Sequence, residues 1–184
     1  MKKKSKKIVI GNMKMHGSLV FNEDHFKNLL QKLNTFNNLE ITLCVPYPYL
    51  FQAQKILTGS NINWGCQNVA KEPEGPYTGE VSASMIKDFQ SKLIIVGHSE
   101  RNTAYCESDE NIAEKFNMIK KHNMPPLLCV GENLNEREAG IMEKVVAEQI
   151  KTILDMYGSD IFKGSIVAYE PIWAIGSDSA ASPN

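Results

Sequence analysis

The chain has 184 residues, 42% hydrophobic and 22% charged, with a formal net charge of −1. That length and balance fit one soluble globular domain with a real core. They leave no electrostatic footprint for nucleic acid or an anionic membrane. The basic start, Lys2 to Lys7, is followed by "IVIGNMKM", which is too short and too polar for a signal-peptide core. No stretch approaches the roughly 20 apolar residues of a membrane span, so the expectation is a cytoplasmic protein with a small partner. Cys44, Cys66, Cys106 and Cys129 are widely spaced without a C-x-x-C, a pattern of reduced thiols rather than a disulfide framework or a zinc site.

Short apolar runs alternate with amphipathic stretches. "KIVIGN" (7–12) reads as a strand, and "DHFKNLLQKL" (24–33) as a helix with Phe26, Leu29, Leu30 and Leu33 on one face. "EITLCV" (40–45) and "INWGCQ" (62–67) are the next strands, followed by a long loop, "NVAKEPEGPYTGE" (68–80), and a short helical piece at 84–88. "KLIIVG" (92–97) is a fourth strand. "DENIAEKFNMIKKH" (109–122) is a helix, with Ser108 available as N-cap and Ile112, Phe116 and Ile119 facing inward. "PLLCVG" (126–131), a helix over "MEKVVAEQIKTIL" (142–154) and "SIVAYE" (165–170) complete the pattern. Most of the strands lack polar alternation, as expected where both faces are covered.

Regular β-α alternation implies a parallel sheet with right-handed crossovers, either an open doubly wound sheet or a (β/α) barrel. No G-x-G-x-x-G or G-x-x-x-x-G-K-[ST] follows any strand, which counts against nucleotide-binding open sheets.

Parallel α/β folds build their sites just past the carboxyl ends of strands. Alternation along the first strand puts Ile8, Ile10, Asn12 and Lys14 on one side, so an amide and an ammonium share a strand end and can hold an anion. Lys14 can equally be a residue that snorkels to solvent. In "GHSERN" (97–102), His98 precedes a potential helical turn whose free amides disfavour imidazolium, leaving a neutral donor; a plain cap is the alternative. Glu100 and Arg101 can form an ordinary ion pair. Glu170 lies between "IVAY" and "PIWAI", apolar surroundings that raise a carboxylate toward general-base range, and Pro171, Trp173 and Gly176 supply the parts of a hinged lid. Otherwise Glu170 is a rim carboxylate on a plain loop. A cation, a neutral donor and a base at strand ends suit proton abstraction beside a carbonyl in a small anionic substrate.

These residues resemble the triosephosphate isomerase family. "GNMKMHG" is similar to its GNWKMNG, "GHSERN" to its GHSERR, "YTGEVSA" and "LLCVGE" to its third-loop and fifth-strand segments, and "AYEPIWAIG" to its base-and-lid signature. The resemblance implies a (β/α) barrel of that type and an aldose-ketose isomerase of glycolysis and gluconeogenesis. It would interconvert dihydroxyacetone phosphate and glyceraldehyde 3-phosphate with no cofactor and no metal. It further implies Glu170 as base, His98 as neutral electrophile, Lys14 and Asn12 as substrate-binding groups that balance enediolate charge, and Gly176 as a phosphate-holding amide; Cys129, which corresponds to a family cysteine near the site, reads as packing. A homodimer through loop 68–80 is implied as well.

Met13, His16 and Pro76 depart from the family pattern without removing a reacting group, and Asn102 replaces the second Arg of GHSERR, weakening a supporting ion pair. Asp178 and Ser179 stand where the family commonly has Gly and Lys, which would bring a carboxylate toward the phosphate. Ser182 and Pro183 read as a helix start. About six of the family's eight β-α units are expected over 1–184, as one incomplete barrel domain without strands seven and eight. The isolated chain would then be inactive as an isomerase, with a binding or assembly module as the alternative.

Overall fold

The computed structural model describes residues 7–33, 35–36, 38–176 and 181. The expectations for Asp178, Ser179, Ser182 and Pro183 fall outside these residues. The strands follow one another in sequence order, and all registered pairs are parallel. With helices between them, this is the (β/α) barrel pattern over six β-α units. Two compact units meet at the bond between Ile94 and Ile95, inside the fourth strand.

The first unit begins with β1 (Lys7–Asn12), which pairs with β2 (Leu39–Val45) from Lys7↔Leu39 to Asn12↔Cys44. β2 pairs in turn with β3 (Ile62–Cys66), and Cys66 meets Ile94 at the start of β4 (Ile94–Val96). From Ile41 to Val45 every residue of β2 is buried, as its unbroken apolar run requires. β1 corrects that expectation, since Ile8 and Val9 are 48% and 50% exposed. Among the described residues β1 has a hydrogen-bonded neighbour on one side alone, so its apolar side chains gain less cover than those of β2.

α1 (Leu19–Leu33) starts five residues before the expected helix. Ser18 sets this start, its Oγ accepting from the Phe21 N–H at 3.1 Å. The added turn carries exposed Leu19, Val20 and Phe21, so amphipathic spacing gave no sign of it. α2 (Leu50–Leu57) was not expected, yet Leu50, Ala53 and Leu57 are buried at helical spacing behind a 3₁₀ turn at Tyr47–Tyr49. α3 (Ala83–Asp88) is capped by Ser82, which accepts from the Met85 amide. Residues 68–80 form the expected long loop; the Ala70 N–H donates to Val81 O at 2.8 Å and pinches its base.

The second unit contains α4 (Ser99–Tyr105), α5 (Asp109–Lys121), β5 (Pro126–Val130), α6 (Leu134–Glu138), α7 (Met142–Tyr157) and β6 (Ile166–Tyr169). Ser108 caps α5 as expected, accepting from the Asn111 N–H at 3.3 Å. Ile112, Phe116 and Ile119 are buried, and Phe116 meets Phe162 in a tilted pair 5.1 Å apart. β5 is buried throughout, whereas Val167 and Tyr169 of β6 are exposed in alternation. The three-residue β4 is shorter than the six residues expected. Among the described residues no helix is long and apolar enough to cross a membrane.

Candidate active site

In the second unit the ends of β4, β5 and β6 bring together the residues that sequence reasoning assigned there. β4 ends at Val96, and Gly97, with φ +71°, turns the chain sharply toward α4. His98 follows as the N-cap of that helix, its Nδ1 accepting from the Glu100 N–H at 3.3 Å. A ring nitrogen that accepts carries no proton, so this contact puts the proton of a neutral imidazole on Nε2. Glu100 Oε2 is 3.7 Å from the same Nδ1, beyond good hydrogen-bond reach. The side chain is buried, 8% exposed, and directs Nε2 to within 3.4 Å of Glu170 Oε2.

Glu170 follows β6 directly. Its N–H donates to Val130 O at 2.8 Å, and the Ile172 N–H donates to Glu132 O at 3.0 Å, so the end of β5 holds this segment by its main chain. The carboxylate is 34% exposed, yet its Oε2 is buried and has no hydrogen-bond partner among the described residues. A shallow, open pocket lies here, lined by residues that include Ser99, Asn102, Cys129, Gly131 and Glu170. Beside it, outside the pocket lining, His98 Nε2 stands 3.4 Å from the Glu170 oxygen that accepts no hydrogen bond among the described residues, a pair that can move a proton and polarise an oxygen.

A second carboxylate went unnoticed in the sequence. Glu132, fully buried, accepts from Trp173 Nε1 at 2.9 Å and from the Tyr169 hydroxyl at 3.0 and 3.1 Å to its two oxygens. Arg137 Nη1 stands 4.0 Å away, with its guanidinium over the Trp173 ring. Burial pushes the Glu132 carboxyl up, but the hydrogen bonds from Trp173, its own backbone and Tyr169, with the Arg137 charge, hold it below the usual range. Burial first and Glu132 second raise the Tyr169 phenol. The cluster anchors the 3₁₀ turn at Ile172–Ala174 that leads to Gly176, which is exposed and has φ +67°. A signal for it existed: "VGE" (130–132) after β5 repeats the strand-glycine-polar pattern of "VGH" (96–98) after β4.

Behind α4, Arg101 pairs with Glu107 at 3.3 Å, and Lys115 also bonds Glu107. Glu107 Oε2 and Asn102 Oδ1 are buried with no hydrogen-bond partner among the described residues. None of the four cysteines is in a disulfide, and Cys106 alone is exposed; burial pushes Cys44 up to about 12 and raises Cys66 also.

Asn12 and Lys14 belong to the first unit. β1 ends at Asn12, whose Oδ1 accepts from the Lys14 N–H at 2.9 Å, and Lys14 takes a left-handed backbone with φ +50°. Strand alternation therefore stops at Asn12 and does not fix the direction of Lys14. A non-glycine residue in this region is sparsely populated and persists where local contacts over-determine it. Among the described residues no group of three or more His, Cys, Asp or Glu side chains is placed to hold a metal ion.

Residues 7–184 match the family model described as triosephosphate isomerase. The chain is 48% identical over 178 residues to the triosephosphate isomerase of Thiobacillus denitrificans, covering 97% of this chain and 71% of that protein. It is 45% identical over 175 residues to that of Nitrosomonas eutropha, covering 95% and 69%, and 44% identical over 178 residues to that of Dechloromonas aromatica, covering 97% and 71%. A family match from β1 to the last residue, joined to the β-α order and the His98–Glu170 pair, places this chain in the triosephosphate isomerase family.

Proposed function

We propose that this protein interconverts dihydroxyacetone phosphate and glyceraldehyde 3-phosphate through an enediol. The observation that carries the reading is the contact of 3.4 Å between His98 Nε2 and a Glu170 oxygen that lacks a hydrogen-bond partner, with Nδ1 occupied by the Glu100 amide. In this reading the Glu170 carboxylate takes the proton from the carbon beside the carbonyl, and the electron pair moves to the carbonyl oxygen. His98 Nε2–H meets that oxygen with a hydrogen bond. His98 then gives its Nε2 proton to that oxygen and takes the hydroxyl proton of the neighbouring oxygen, Glu170 returns its proton to the neighbouring carbon, and the new carbonyl forms on the oxygen that has lost its hydroxyl proton.

Lys14 and Asn12 bind the substrate in this reading, Lys14 balancing the enediolate charge, and the Gly176 amide helps hold the phosphate. Loop 68–80 carries a homodimer contact. Its pinched base and exposed Tyr77 suit a docking element. Four cysteines outside any disulfide suit a reducing compartment, and the cytoplasm is the proposed location.

The test is a coupled assay with each triose phosphate, with isotope wash-in from deuterated water, on this chain, expected to be inactive by itself, and on a chain extended to the full length of its relatives, in which the variants are made. Glu170→Gln is expected to lower kcat by about 10²–10⁴-fold, the range typical for loss of a general base, with folding intact. His98→Ala is expected to act mainly on kcat. Turnover near the parental value in Glu170→Gln would remove Glu170 from the role of base.

A further inference from the structure

We propose that Gln149 is a positioning residue for the Glu170 base, acting through the peptide groups of Gly131. The side-chain amide of Gln149, on α7, makes two hydrogen bonds to this one glycine. Its Oε1 accepts from Gly131 N–H at 3.0 Å, and its Nε2 donates to Gly131 O at 3.0 Å. The residues on either side face the other way, Val130 O receiving the Glu170 N–H and Glu132 O receiving the Ile172 N–H. Three consecutive residues thus join a long helix on one side to the segment carrying the base on the other.

The fit between the two is tight. A Cβ built on Gly131 would lie 2.0 Å from Glu170 O and 2.7 Å from Glu170 C, so the two backbones touch and a shift of one must move the other. Glu170 Oε2 has no hydrogen bond of its own among the described residues to fix it. Its distance from His98 Nε2 is accordingly set by the main chain, and Gln149 fixes the strand that holds that main chain. α7 is a firm support, because its 16 residues are seated on the core through Ile153, which is fully buried.

The experiment compares Gln149→Met, which keeps length but offers no comparable hydrogen bonds, with Gln149→Glu, which keeps shape and one acceptor but sets a carboxylate against Gly131 O. Amide hydrogen exchange is followed at Glu170 and Ile172, with Phe116 and Ile119 of α5 as reporters of global opening. Expected in both variants is exchange at Glu170 and Ile172 faster by about tenfold or more, with the α5 amides unchanged. The kinetic arm rests on the isomerase reading: kcat should fall about 10–100-fold with KM for the triose phosphate within about threefold, as misplacement of a reacting group demands.

Parental exchange at Glu170 in Gln149→Met overturns the proposal. So does equal acceleration at Phe116 and Glu170 in both variants, because Gln149 would then hold the fold rather than the base. If the chain extended to the relatives' full length turns over neither triose phosphate, the isomerase reading fails, while the exchange comparison still decides whether Gln149 holds the Glu170 segment.

Discussion

Replacing Glu132 should expose how strongly one buried carboxylate holds the segment beyond Glu170. Its partners are Trp173 Nε1 at 2.9 Å, the Tyr169 hydroxyl at 3.0 Å and, more loosely, Arg137 at 4.0 Å. Hydrogen bonds to a charged group are worth about 1.5–3 kcal/mol each when one partner is removed. Tyr169 is 48% exposed and can turn to water, so its share falls to about 1 kcal/mol or less. Arg137 is exposed and adds little.

Glu132→Ala also removes buried side-chain atoms, but it relieves the cost of keeping a carboxylate out of water. The net expectation is a loss of about 2–4 kcal/mol, and about 1–2 kcal/mol for Glu132→Gln, which keeps volume and one acceptor. The pH dependence separates charge from shape. The folded-state pKa is depressed below 4.5, so this stabilisation is fully present above about pH 4.5 and is lost as pH falls through the lowered value. Urea unfolding of both proteins from pH 7 to pH 3 should therefore show a constant gap above pH 5 that narrows below pH 4.5. A gap that stays constant to pH 3, or an Ala variant within about 0.5 kcal/mol of the parent, would refute this account of the cluster.

The Glu107 site should behave as a buried charge cluster: Lys115→Met leaves the carboxylate to Arg101 and is expected to cost about 1–3 kcal/mol, and the double variant with Glu107→Leu less, as read from a double-mutant cycle of urea midpoints. Ser108→Ala should cost about 1 kcal/mol through the lost cap of α5, visible as a small drop in Tm, and Ser108→Asp should retain most of the parental value. In the native protein iodoacetamide at pH 8 should label Cys106 alone at an appreciable rate, with Cys44, Cys66 and Cys129 reacting only in denaturant; mass spectrometry of the labelled peptides decides this.

Local chemistry was legible wherever one residue type at one spacing carries a single meaning. The apolar run of β1, the Ser108 cap and the strand-end positions of His98 and Glu170 all follow from periodicity, turn chemistry and the rule that parallel strands present their sites at carboxyl ends. α2 and the first turn of α1 were not legible, since one follows "PYPY" and the other exposes three apolar residues that tertiary contacts do not cover. Periodicity likewise failed at Lys14, because a left-handed residue ends the strand alternation. The sequence alone determined the β-α order and the family, and it singled out the candidate site residues. Only the tertiary structure decided that Glu132 ties down Trp173 and Tyr169, that Gly131 lies against Glu170, and that Gln149 holds Gly131. These links join residues 18 to 41 positions apart. A hydrogen bond over that span exists only after helix and strand have packed, and no local pattern encodes it.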